Sequence, residues 1–245
     1  MPRKTYQPLD FFKSRWIEEK YARQLRDVAR EVARIIEGHD PLTISGVREM
    51  QYALQKYAGI LAPWAVKVSQ KIASQLDRQD FAMWDRHSQK IGAGLRDLVR
   101  NQPAGEVLQD FLARQVHYIT SLPIEEGQRV QALALEAMTG GKRPDDIASE
   151  LEDSGQVAKS RATLIARTEC ARTASLLTQS RGLGIGATQY IWRTAKDKAV
   201  RPSHREMEGK TFDLYDPRSL SDGTKTFPGG IFNCRCISEI IIPEI

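Results

Sequence analysis

The chain has 245 residues, 41% of them hydrophobic and 27% charged, with a formal net charge of +5. Those proportions fit a folded protein of one large or two small domains. No apolar run approaches the ~20 residues that span a bilayer, and the charges of Met1-Pro-Arg-Lys-Thr-Tyr have no apolar stretch behind them, so neither a membrane protein nor a secreted one is expected. Three cysteines, two of them in a Cys-x-Cys pair, make a poor disulfide framework and suit a reducing cytosol.

Residues 1–9, with two prolines, read as a flexible arm. From Asp10, a fair N-cap, apolar residues recur at spacings of three and four through Phe11, Phe12, Trp16, Ile17, Tyr21, Leu25, Val28, Val32 and Ile36. This predicts an amphipathic helix of about seven turns ended by Gly38. Such a stripe suits either an internal bundle or a docking surface. Its aromatic end, Phe11, Phe12, Trp16 and Tyr21, is the candidate partner-docking patch. A second helix is expected over Val47–Leu61, broken by Pro63. A third is expected over Trp64–Val99, with the polar run Asp77–Asp80 as an interruption. Pro103 and Pro123 each open a further helical segment. A short helix follows from Pro144 to about Glu152, with proline and two aspartates in its first turn. A long helix is expected over Val157–Arg181.

After Gly186 the pattern turns to β-branched and aromatic residues. Strands are expected at 188–194, around Trp192, at Thr211–Tyr215 and at 231–237, around Cys234 and Cys236. Turn clusters separate them: Asp216-Pro, Ser221-Asp-Gly and Pro228-Gly-Gly. The fold class is therefore α+β, a mainly helical N-terminal region followed by a small module of helix and short strands.

The unusual chemistry gathers in this last part. His204, Cys234 and Cys236 offer imidazole and thiolate donors of the kind zinc takes, with Asp197 or Cys170 as a fourth donor. The spacing is not that of a zinc finger or ribbon. Two thiols one residue apart in a strand share a face, so a cluster with His204 is expected whether or not metal is bound. The same residues could serve a metal-dependent hydrolase, nuclease-like, with Asp197 and His204 as its base. No His-Glu-x-x-His, Walker or Gly-x-Ser-x-Gly motif supports catalysis, and Gly182-Leu-Gly-Ile-Gly stands after a helix rather than before one, the wrong order for a dinucleotide loop. Glu169, between Arg167 and Arg172, reads as part of an intrahelical or tertiary ion pair tying its helix to the strands.

Several strings in this region occur together in one known family. They are Ala-Arg-Thr-Glu169 on a helix, Trp192-x4-Asp197-x2-Val-Arg-x2-His204, Gly209-Lys-x-Phe, Pro228-Gly and Asn233-Cys-Arg-Cys236. In this order they resemble the C-terminal domain of the phage Mu F-like head-morphogenesis family of minor capsid proteins. The resemblance covers roughly Pro123 to Cys236, with Arg167, Glu169, Trp192, Asp197, His204 and Asn233 as its motif residues. Cys170 departs from it, standing where a small polar residue is expected, and the chain leaves no room after the module for the toxin enzymes that some relatives carry. The resemblance implies a division into residues 1–122, a helical assembly and docking region, and residues 123–245, the Mu F-like domain. It implies a low-copy virion component inside the head near the portal vertex, made in the host cytoplasm. Its implied role is head assembly, with DNA packaging or ejection as a further one. The implied partners are the portal protein, other capsid proteins and double-stranded DNA, with no membrane. No enzyme activity is expected, and zinc is the one cofactor the residues suggest. The first 100 residues carry 18 Lys+Arg against 12 Asp+Glu, which suits contact with nucleic acid as well as a solvated helical surface.

Overall fold

The computed structural model describes residues 4–6, 15–41, 43–91, 105–140 and 144–244. The fold is α+β. Among the described residues the two-residue strand β1 (Thr5–Tyr6) is followed by the helices α1 (Arg15–Glu37), α2 (Ile44–Ile91), α3 (Gly105–Gly140) and α4 (Pro144–Gly184). The remaining elements are short: β2 (Gln189–Arg193), α5 (Pro202–Arg205), β3 (Thr211–Asp213), β4 (Arg218–Ser219), β5 (Lys225–Thr226) and β6 (Ile237–Ile241). Among the described residues no helix is long and apolar enough to cross a membrane.

The helices α2, α3 and α4 each join segments that the sequence pattern predicts separately. Pro63 lies within α2 and Pro123 within α3. An interior proline costs a helix one hydrogen bond and about 3 kcal/mol. Buried residues on both sides hold these helices through it: Leu61, Ala65 and Val68 around Pro63, and Ile119, Leu122 and Val130 around Pro123. Asp77–Asp80 does not interrupt α2 either. Both aspartates face Arg181 of α4, Asp77 at 2.6 Å, and Asp80 also accepts a 2.7 Å bond from Thr178. The two helices expected between Pro144 and Arg181 are the single helix α4. Gly38 follows the last turn of α1, as expected, while Asp10, the expected N-cap of that helix, lies outside the described residues. At the start of α2, Thr43 Oγ1 accepts the Gly46 N–H, a cap that the sequence pattern does not single out.

The chain forms two compact units from interleaved segments: residues 1–18, 72–111 and 167–245 in one, and 19–71 and 112–166 in the other. The boundary expected at 122/123 falls inside α3. The second unit is helical. Val32 and Ile36 of α1, Val47, Met50 and Leu54 of α2, and Val130 and Ala134 of α3 form one apolar cluster. Tyr21 is fully buried and donates a 2.7 Å bond to Gln115. This corrects the docking assignment of Tyr21, because its ring and hydroxyl are both used inside the bundle. Trp16 stays 52% exposed, and Phe11 and Phe12 lie outside the described residues.

The first unit holds a four-stranded antiparallel sheet in the order β1-β6-β2-β3, with a separate β4–β5 ribbon. The supposed N-terminal arm thus supplies an edge strand, Tyr6 pairing with Ile240 of β6. Tyr6 stacks on Trp84 of α2, ring centroids 3.7 Å apart. Both join Tyr190, Trp192, Leu214, Ile240, Cys234 and Cys236 in one core.

Candidate functional site

His204, Cys234 and Cys236 come together beneath Trp192. His204 sits on α5, a single turn opened by Pro202. The Asp197-Lys-Ala-Val-Arg loop delivers that turn, and Asp197 Oδ1 accepts the Ala199 N–H at 3.0 Å. The cysteines arrive by a different route. Cys-Arg-Cys is not in a strand, as its sequence suggests, but runs extended from a turn into β6. Asn233, at φ 56°, makes the reversal; asparagine is among the few side chains that enter this region readily. Its N–H reaches Thr168 Oγ1 of α4 at 3.4 Å.

Alternation along this extended segment sends the two thiols inward and Arg235 outward. Arg235 meets Asp197 there at 2.5–2.6 Å, and that hydrogen bond holds the Asp197 carboxyl below its ordinary range. Asp197 is therefore not a member of the cluster. Its carboxylate is committed to the arginine between the two cysteines. Cys170 is not a member either: it is buried on α4, where desolvation, with Glu18 and Glu169 adding, pushes its thiol well up.

Within the cluster, His204 Nδ1 lies 3.4 Å from Cys236 Sγ and 3.5 Å from Cys234 Sγ. The three residues are 1%, 4% and 5% exposed. Cys234 Sγ also accepts the Gly229 N–H at 3.3 Å. The indole of Trp192 stands edge-on to the imidazole, centroids 5.5 Å apart. The hydrogen bond between the two thiols divides them: it draws Cys234 well below the ordinary thiol range and pushes Cys236 up. Among the described residues this is the one group of three or more His, Cys, Asp or Glu side chains placed to share a metal ion.

The other motif residues brace the site. Glu169, 1% exposed, pairs with Arg172 at 2.9 Å, and Arg172 Nε donates to the Gly230 carbonyl at 2.9 Å. The ion pair is thus intrahelical, and it is the Arg172 bond to a backbone carbonyl that ties the helix to the C-terminal segment. Arg167 pairs instead with Glu18 at 3.2 Å. Ser175 Oγ donates to the Pro228 carbonyl at 2.5 Å. Sequence reasoning missed Glu208, whose carboxylate accepts both the N–H and the hydroxyl of Thr194, at 2.6 and 2.7 Å. It also missed Asp222, held near pH 2 by the Thr224 N–H and the Ser203 hydroxyl beside His204. Short Asp-x-Thr and Ser-x18-Asp spacings carry too little signal to be found without the fold.

Gly229 belongs to the Pro-Gly motif for a physical reason. Its φ is +79°, and a Cβ there would stand 3.1 Å from Ser175 Cβ and 3.3 Å from the Cys236 carbonyl oxygen. Gly229→Ala is expected to cost about 1–2 kcal/mol from the left-handed backbone alone, read as a shift in urea midpoint at constant slope. An unshifted midpoint would mean that the turn relaxes freely and is not a brace for the cysteines.

Comparison with known proteins now connects these motifs. Residues 128–239 match the family described as Phage Mu protein F like protein. That segment is a phage Mu F-like head-morphogenesis domain. The match spans α4, the sheet strands β2 and β3, and the whole His-Cys-Cys cluster. An uncharacterized protein of Haemophilus influenzae is 30% identical over 175 residues, 71% of this chain. Minor head protein GP7 of Bacillus phage SPP1 is 26% identical over 166 residues, 60% of this chain. The NAD(+)--arginine ADP-ribosyltransferase EFV of Enterococcus faecalis is 24% identical over 251 residues, 92% of this chain. These alignments take in 38%, 53% and 50% of the relatives' own lengths, so the chain spans about half of them or less. No solved structure matches. The chain thus carries a segment of the phage Mu F-like family.

Proposed function

We propose that this chain is a minor capsid protein, a low-copy virion component inside the head near the portal vertex. Its role there is head assembly, with DNA packaging or ejection as the later step it serves. The observation that carries the proposal is the Mu F-like segment at 128–239, supported by the similarity to a minor head protein. Its partners on this reading are the portal and other capsid proteins, with double-stranded DNA as a further contact suited to the excess of basic residues in the first 100.

The protein acts on this proposal as a structural component and not as a catalyst. Two features support that. The His-Cys-Cys cluster lies inside a core rather than in a cleft, and Asp197, the base a nuclease would need, is paired with Arg235. The resemblance to the ADP-ribosyltransferase takes in only half of that protein, and we read the shared half as its Mu F-like part.

Heads purified from cells expressing the full chain test the proposal. The protein is expected in them at a few copies per particle, protected from protease until the capsid is opened, and cross-linked to the portal. Absence from particles overturns it. Trp16 is the exposed aromatic left for docking on α1, and anchors of this kind dominate interface energies. Trp16→Ser is expected to lower incorporation at least about fivefold, equivalent to about 1 kcal/mol, with no change in melting midpoint. Normal incorporation would remove Trp16 as an anchor. A DNA contact, by contrast, shows as affinity that falls steeply between low and physiological salt.

A further inference from the structure

We propose that His204, Cys234 and Cys236 form a zinc site that cross-links the α5 turn to the segment entering β6. The argument is geometric first. Zinc holds sulfur at about 2.3 Å and imidazole nitrogen at about 2.0–2.1 Å, and tetrahedral angles then put nitrogen and sulfur roughly 3.5 Å apart. Nδ1 of His204 stands 3.4 and 3.5 Å from the two sulfurs, and all three donor atoms lie within 4.8 Å of one another. One ring nitrogen facing two thiols is the arrangement of a shared ligand, because a single N–H can serve only one sulfur well.

The donor set selects the ion. Two thiolates and an imidazole are soft ligands that favour zinc over magnesium or calcium, which take oxygen. The surroundings are those of a structural centre: the donors are buried, and the Gly229 N–H already points at the Cys234 sulfur, the type of contact that orients a metal-bound thiolate. His204 Nε2 is buried and makes no hydrogen bond, so the ring is not held by a partner on its far side. Its orientation comes from the thiols and from the edge of Trp192. Three protein donors leave the fourth position to a small non-protein ligand. Zinc takes the cysteines as thiolates and the histidine as a neutral imidazole, and the protons these donors still hold pass to solvent on binding, so affinity rises with pH.

Zinc content and cobalt titration of the full chain, made and purified under reducing conditions, test this. About one zinc per chain is expected by elemental analysis. After chelation, the apo protein titrated with Co²⁺ is expected to show a sulfur-to-cobalt charge-transfer band that saturates at one equivalent. Cys236→Ser is expected to lose about half of that band. His204→Ala is expected to keep the band but weaken affinity more than about tenfold, since even losing an outer hydrogen bond to a metal ligand costs 10–100-fold. Cys170→Ser should change nothing. If a cluster variant fails to fold, the wild-type titration still decides. A natively folded wild-type protein that holds no zinc and gives no charge-transfer band with Co²⁺ overturns the proposal and leaves a hydrogen-bonded core cluster. The result is independent of head incorporation.

Discussion

Trp192→Ala is expected to destabilise the unit that carries it by about 3–5 kcal/mol, the usual cost of removing a fully buried large aromatic. Trp192 has no exposed surface. Its backbone is fixed on both sides, the N–H donating to the Lys210 carbonyl and the carbonyl accepting the Gly209 N–H, each at 2.9 Å. It sits opposite Ser238 in the β2–β6 register, and its ring packs edge-on against His204 and Phe212. A cavity there cannot collapse easily, because sheet, α5 turn and cysteine segment meet around it. Urea unfolding followed by far-ultraviolet circular dichroism measures the loss, and Trp192→Phe should recover part of it. A loss under about 1 kcal/mol would show that the ring is not the centre of this core.

Asp80→Ala should cost a similar amount, about 3–5 kcal/mol, for an electrostatic reason. Asp80 and Arg181 form a buried pair. Arginine cannot shed its proton, so removing the aspartate strands a buried cation that keeps only Asp77, a partly exposed partner. Thr178 loses its acceptor as well. Replacing both partners with apolar residues, Asp80→Leu with Arg181→Met, is expected to be much milder than Asp80→Ala alone. Equal losses would mean that packing, not charge, dominates.

The same aspartate gives a pH signature. Burial, outweighing the attraction of Arg181, raises the Asp80 carboxyl to about 6 from its ordinary 3.8. Above pH 6 it is ionised in both folded and unfolded chains. Between about 6 and 3.8 the folded chain holds a proton that the unfolded chain does not. This group's contribution to stability therefore grows as pH falls through that window. Asp80→Asn has no such proton, so wild type should gain on it by on the order of 2 kcal/mol between pH 7 and 4. A pH-independent difference would place Asp80's titration outside the window.

Local signals in the sequence determined a good deal. The period of 3.6 residues placed α1 and its end at Gly38, Pro144 with its aspartates placed the start of α4, and β-branched and aromatic residues placed β2 and β3. Trp192 as core follows from its size in a strand-like run, and the meeting of His204 with Cys234 and Cys236 follows from the alternation of Cys-x-Cys. These are properties of neighbouring residues, and neighbours are what a sequence displays. Tertiary structure decided the rest. Pro63 and Pro123 stay inside helices because buried residues on both sides outweigh one lost hydrogen bond. Asp77 and Asp80 are helical because Arg181, a hundred residues later, answers their charge. Thr5–Tyr6 is a strand only because β6, at the other end of the chain, offers an open edge. Tyr21 is core and Trp16 is surface although one stripe carries both, since the stripe fixes a helix face and not what covers each turn of it. Asp197 leaves the metal candidates for the same reason: its carboxylate can reach a cluster or an arginine, and only the fold brings Arg235 to it.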